Sequence, residues 1–120
     1  MQSLEQRQEI LEYLKNKLGP HESIYALWFE GADARGTVDE FSDIDLWCDV
    51  EDGQEESLLK QIEQYLNELA TPDFIYRKPD FHPHIKQCFF HLANTSKFLI
   101  IDVCIQSHSR EIEFGPNDLV

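Results

Sequence analysis

The sequence predicts an α+β domain: a mixed β-sheet with its helices packed mainly on one face. Three observations predict it. Apolar residues recur at helical spacing in two segments. Between and after them come short runs that are either wholly apolar or strictly alternating. The order is helix, two strands, helix, then two or three strands.

Ser3 to Leu18 carries Leu4, Leu11, Leu14 and Leu18 on one helical stripe. Ser3 with Gln6 has the spacing of a capping box, and Gly19-Pro20 is a stop signal. Ser23 to Glu30, "SIYALWFE", is short, apolar and aromatic, as a buried strand is. Residues 31–42 hold Gly31, Gly36, Asp39 and Ser42 and are predicted as a loop. Asp43 to Val50 is the second strand, and "EDGQEE" a solvated turn. Ser57 to Leu69 is the second helix, with Leu58, Leu59, Ile62, Leu66 and Leu69 on its buried stripe and Thr71-Pro72 at its end. Phe74 to Tyr76 is a short candidate strand, and "KPDFHPH" an irregular loop because of its prolines. Lys86 to Leu92 and Lys97 to Gln106 are predicted as two strands of a hairpin turning at "ANTS". The segment after Ser107 is polar and weakly patterned.

A chain of 120 residues suits one domain, here 1–120, either standing alone or as the N-terminal part of a longer protein. Hydrophobic content of 42% excludes a disordered chain. No apolar run has the length of a membrane span, and "MQSLEQRQEI" lacks the apolar centre of a signal peptide, so a cytoplasmic protein with no membrane partner is expected. Twenty-three acidic against ten basic residues give a net charge of −13. That balance opposes binding to a nucleic-acid backbone and suits metal ions, cationic small molecules or a basic protein. Cys48, Cys88 and Cys104 are odd in number, lack CxxC spacing and lie in apolar stretches, as buried free thiols do.

The chemistry is concentrated in aspartates. In "SDIDLWCDV" one strand face carries Asp43, Asp45, Trp47 and Asp49, the other Ile44, Leu46, Cys48 and Val50. Asp43 and Asp45 then point the same way, roughly 6.6 Å apart along the strand. In "KFLIIDVCI" the lone charge, Asp102, interrupts an apolar run. A buried carboxylate is costly unless neutralised. A divalent cation shared with Asp43 and Asp45 would neutralise it, and a salt bridge from Arg35 or Lys97 is the alternative. Three oxygen donors with no soft ligand favour Mg²⁺ or Mn²⁺. Gly31 and Gly36 allow backbone N–H groups to approach an anion, and Arg35 between them is able to pair with phosphate oxygens. Together the layout fits metal-assisted phosphoryl or nucleotidyl transfer.

"GADARGTVDEFSDIDL" resembles the signature of the DNA polymerase β-like nucleotidyltransferase superfamily, above all its minimal and antibiotic-modifying members. The match runs from Gly31 through Arg35 and Gly36 to Ser42-Asp43-x-Asp45, with Asp102 in the place of the third carboxylate. The resemblance implies a nucleotidyltransferase-like fold, an NTP substrate such as ATP and two Mg²⁺ ions (Mn²⁺ as a substitute) held by Asp43, Asp45 and Asp102. It implies a nucleotide seated by Gly31, Ala32, Arg35, Gly36 and Ser42, and an acceptor hydroxyl on a small molecule such as an aminoglycoside, or on a protein. Ala32 stands where the family has serine, with Asp33 and Thr37 the nearest replacements for its hydroxyl. Larger members continue into a helical domain, so the resemblance also implies either such a domain or a helical partner protein. The second function expected from it is an antitoxin-like or partner-binding module with weak or no catalysis.

Other constellations are weaker. His82, His84 and His91 lack the spacing of a zinc site, "DVEDG" lacks the ligand pattern of an EF-hand, and Ser107, His108 and Ser109 have no nucleophile-elbow context. Trp28 and Trp47 are expected in the core, with stacking on a base as the alternative.

Overall fold

A computed structural model of the chain describes residues 3–30, 43–79, 84–97 and 99–108. The elements are α1 (Ser3–Leu18), β1 (Ile24–Glu30), β2 (Ile44–Val50), α2 (Glu55–Leu69), β3 (Pro72–Arg77), β4 (Ile85–Leu92) and β5 (Ile101–Ser107). The strands form one mixed sheet in the order β1-β2-β5-β4-β3. β2 and β5 run parallel, and the other neighbours antiparallel. The expected α+β architecture is what the structure shows.

α1 buries Leu11, Leu14 and Leu18, as their spacing predicts, and Ile10 beside them; the Leu4 side chain lies outside the described residues. The helix stops where the Gly19 N–H reaches the Lys15 carbonyl at 2.9 Å. A Cβ on residue 19 would lie 2.9 Å from that same carbonyl oxygen, so only glycine lets the chain leave the helix this way. Gln6, the second residue of the expected capping box, also reaches across the fold. Its amide nitrogen donates to the Asn94 carbonyl at 3.0 Å, and its oxygen accepts the Ser96 N–H at 3.2 Å. α2 begins at Glu55, two residues earlier than predicted. Acidic side chains are stabilising in a first helical turn, and Glu55 also accepts the Gly53 N–H and, at 2.5 Å, the Ser107 hydroxyl.

Both helices cover one face of the sheet. Ile44, Leu46, Cys48 and Val50 of β2 are fully buried there with Phe90, Leu92, Ile101, Val103 and Ile105, against Leu58, Ile62 and Leu66 of α2. The three cysteines are free and buried, as expected. Among the described residues no helix is long and apolar enough to cross a membrane.

β3 and β5 depart furthest from their predicted bounds. β3 extends to Pro72–Arg77. β5 starts at Ile101 rather than Lys97, so the connection from β4 is longer than a tight turn at "ANTS". His91 explains it. Its ring nitrogens lie 2.7 Å from Asp73 Oδ1 and 2.8 Å from the Ser96 carbonyl, and Thr95 Oγ1 donates to the Leu92 carbonyl. These bonds fold residues 93–97 into a local knot, which Gln6 then ties to α1.

Candidate active site

The face of the sheet away from the helices is where the acids meet. On β2 its side chains are Asp45, Trp47 and Asp49, all half-buried. On β5, Asp102 and Cys104 point the same way. Register settles the rest. Asp45 lies directly opposite Asp102 in the parallel β2–β5 pair, and Glu30 of β1 lies opposite Asp45 on its other side. Neighbouring strands stand about 4.8 Å apart, so Asp45 and Asp102 are backbone neighbours across the ladder.

Asp43 precedes β2 rather than lying inside it, and its side chain is exposed. It is fixed from beneath. Arg7 of α1, only 2% exposed, donates from Nη2 to the Asp43 carbonyl at 2.9 Å. The next residue, Ile44, donates its N–H to the Ile100 carbonyl at 2.9 Å, which locks the start of β2 beside the start of β5.

Electrostatics tie the acids together. Partial desolvation pushes the Asp43 carboxyl up, against the downward pull of the Ile100 N–H and the Arg7 charge. Burial pushes Asp102 up as well; the bond from Gln87 and the charge of Lys78 oppose that rise, and the charge of Asp43 adds to it. Gln87 Nε2 donates to Asp102 Oδ1 at 2.9 Å from the neighbouring strand β4. Cys104, the one sulfur beside them, has its thiol pushed up to about 12, first by burial and then by the charges of Asp102, Glu30 and Asp45.

Of the two residues weighed as a salt-bridge alternative for Asp102, Arg35 lies outside the described residues. Among the described residues Gln87, by its hydrogen bond, and Lys78, by its charge, offset the burial of Asp102. No group of three His, Cys, Asp or Glu among the described residues stands arranged to hold a metal ion as it is. The donor set nevertheless fits a hard divalent cation. It consists of carboxylates, two of them on residues paired across the β2–β5 register, with a third acid whose charge bears on Asp102.

Gly31, Ala32, Arg35, Gly36 and Ser42, together with Asp33 and Thr37, lie outside the described residues, as do His82 and Ser109. The tryptophans correct the sequence reading. Trp28 and Trp47 pair across β1 and β2, with ring centroids 6.0 Å apart and planes at 13°, on the open face and not in the core. Trp28 Nε1 donates to Glu30 Oε1 at 3.1 Å. His91 is held between Asp73 and Ser96 and so is committed to the fold. His108 stacks on Tyr25 at 3.9 Å and bonds to Asp49 at the far end of the same face, away from the Asp45–Asp102 pair.

A family model described as a nucleotidyltransferase domain matches residues 7–103. The chain belongs to that family. The matched span opens on Arg7 and closes one residue after Asp102, so it takes in all three acids and the arginine under the first of them. No curated protein matches the chain significantly. Among solved structures, a chain described as "structure of GLD-2/RNP-8 complex" is similar at 15% identity, with a TM-score of 0.49 over 88% of this chain. This nucleotidyltransferase domain spans 39% of that chain's length.

Sequence reasoning singled out the three acids and missed the groups that the structure sets around them. Arg7 had a readable signal, since it falls on the same helical stripe as Leu11, Leu14 and Leu18, where a cation demands an explanation. Gln87 and Lys78 had none, because only the strand order brings β4 beside β5.

Proposed function

We propose that this nucleotidyltransferase domain moves a nucleoside monophosphate from an NTP, ATP first among them, to an acceptor hydroxyl. Asp43, Asp45 and Asp102 would hold the divalent cations, Mg²⁺ or Mn²⁺. Bound there, such ions would neutralise the triphosphate and the charge that develops in transfer. The acceptor oxygen forms the new bond to the α-phosphorus, the bond to the bridging oxygen breaks, and pyrophosphate leaves. The hydroxyl proton needs a base. Asp102 is best suited, because burial makes it a stronger base than an exposed carboxylate and Gln87 holds one of its oxygens, leaving the other to act. Gly31, Ala32, Arg35, Gly36 and Ser42 are assigned to the nucleotide on the resemblance alone.

The observation that carries this reading is the placement of Asp45 opposite Asp102 in the parallel register, at the sheet end where Arg7 anchors Asp43. Isothermal titration of the folded chain with ATP, with Mg²⁺ and with both together tests it. Binding of ATP that requires the metal and disappears in Asp43→Asn/Asp45→Asn is expected. Metal-independent binding, or binding untouched by the double variant, would overturn the assignment. Incubating the chain with NTPs and Mg²⁺ against aminoglycoside, lincosamide and protein acceptors, and reading pyrophosphate release, separates a small-molecule enzyme from a protein modifier. It also separates both from a partner-binding module, which releases none.

A further inference from the structure

One side of the open face is apolar, and it lies beside Asp102. On β4, Phe89 alternates with the buried Cys88 and Phe90, so it shares the open face with Gln87. Phe89 is the ladder partner of Asp102 on one side and of Tyr76 on the other. The Tyr76 and Phe89 rings lie 6.2 Å apart, centroid to centroid, with planes at 27°. Phe74, two residues before Tyr76, points the same way and is paired with His91. Phe74 is 51% exposed and Tyr76 48%, two of the four large hydrophobic residues exposed among the described residues. The row Asp45, Asp102, Phe89, Tyr76 therefore passes from carboxylate to aromatic in one step across the sheet. Charge changes along the same row. Glu30 and Asp49 stand on the β1–β2 side. On the β4–β3 side, Lys78 bears on Asp102 by its charge, and both His91 ring nitrogens face acceptors, Asp73 and the Ser96 carbonyl.

We infer that this ledge of Phe74, Tyr76 and Phe89 seats the acceptor, and that the acceptor carries its hydroxyl on or next to an uncharged aromatic ring. The inference rests on the transfer reading above. The nucleotide is assigned to the segment that leaves β1 after Glu30 and enters β2 at Ile44, so both ends of that segment are on the other side of Asp102. The β4–β3 side is left for the group that attacks. With strands about 4.8 Å apart, Phe89 is one step and Tyr76 two steps from Asp102. A ring lying on that pair holds its own hydroxyl at Asp102. The hydroxyl gives its proton to Asp102, its oxygen bonds the α-phosphorus, the bond to the bridging oxygen breaks and pyrophosphate leaves. Three features choose an aromatic ring over a sugar or a polyamine. A third ring extends the Tyr76–Phe89 stack, and aromatic pairs contribute beyond the area they bury. Sugar hydroxyls need polar partners once covered, and beside the ledge both His91 nitrogens and the Gln87 amide nitrogen are already engaged. Lys78, and a His91 held protonated between two acceptors, oppose a polycationic acceptor.

Saturation-transfer NMR of the full chain with Mg²⁺ and α,β-methylene-ATP, whose bridging carbon blocks transfer, tests this. The probes are N-acetyl-L-tyrosinamide, a neutral phenol; methyl α-D-glucoside, a neutral sugar; and kanamycin, a polycation. The phenol should bind most tightly of the three, with the strongest transfer at its ring protons. Tyr76→Ser and Phe89→Leu should each weaken it by about threefold or more. Tyr76 is an exposed edge position, so its variant should keep the wild-type circular dichroism. With ATP in place of the analogue, both substitutions should raise the KM for the phenol more than they lower kcat. A glucoside or kanamycin that binds more tightly than the phenol overturns the inference. So does phenol binding that is indifferent to both substitutions. Titrating ATP with Mg²⁺ on the same samples separates this inference from the reading it rests on. If ATP fails to bind, the transfer reading falls and the acceptor role falls with it. If ATP binds and the phenol does not, only the aromatic acceptor falls.

Discussion

The two faces of β2 divide its labour. Ile44, Leu46, Cys48 and Val50 look toward the helices and are wholly buried, while Asp45, Trp47 and Asp49 look away and are half-exposed. One set of alternate residues holds the sheet to its helices. The other places Asp45 opposite Asp102 in the ladder and a tryptophan against Trp28. Because the two sets differ only in parity along one strand, stability and chemistry can be disturbed separately.

The largest effect should come from the covered face. Leu46→Ala leaves a cavity under α2 and should cost about 2–5 kcal/mol in urea unfolding, whereas Asp45→Asn, on the open face, should leave the unfolding midpoint nearly unchanged. A shared loss of stability would show that the faces are not independent. Next in size is the open face itself. Asp102→Asn should weaken metal-dependent ATP binding by about a hundredfold, at or beyond the upper end of what losing a ligand's supporting partner costs. Gln87→Leu removes only the bond that orients Asp102 and should cost about tenfold in the same titration, with the fold intact. Equal losses in the two variants would mean that Gln87 does more than orient.

The smallest effect concerns neither face of β2 but the knot at His91. Burial lowers its pKa, yet bonds to Asp73 and the Ser96 carbonyl outweigh that, so the folded value sits above the ordinary 6.5. Both neighbours are acceptors, so the ring is held as an imidazolium donating twice. A group whose folded pKa is raised stabilises fully below its unfolded value and loses that contribution as pH rises through the folded value. Urea midpoints should therefore fall as pH is raised from 6.5, by less than about 1 kcal/mol because Asp73 is exposed. His91→Gln should flatten that slope without changing nucleotide binding.

How far the site was legible follows from which of its links are local. Alternation in "SDIDLWCDV" specified the faces of β2 because strand parity is a property of consecutive residues. Asp102 stood out for the same reason, as one acid in an apolar run. The helical stripes placed nearly all of the core that the helices supply. The tryptophans were misplaced because composition alone does not tell a covered strand face from an open one. The early start of α2 and the late start of β5 were set by capping and side-chain bonds that cross the chain.

By itself, then, the sequence determined the elements, the parity of β2, the three acids and the nucleotidyltransferase signature, all of which are written in neighbouring residues. Only the tertiary structure decided that β5 lies parallel beside β2, and with it that Asp45 faces Asp102, that Gln87 holds Asp102 and that Arg7 reaches Asp43. Strand order is a matter of long-range pairing, chosen by how two helices and five strands bury a common core, and local pattern carries no record of that choice.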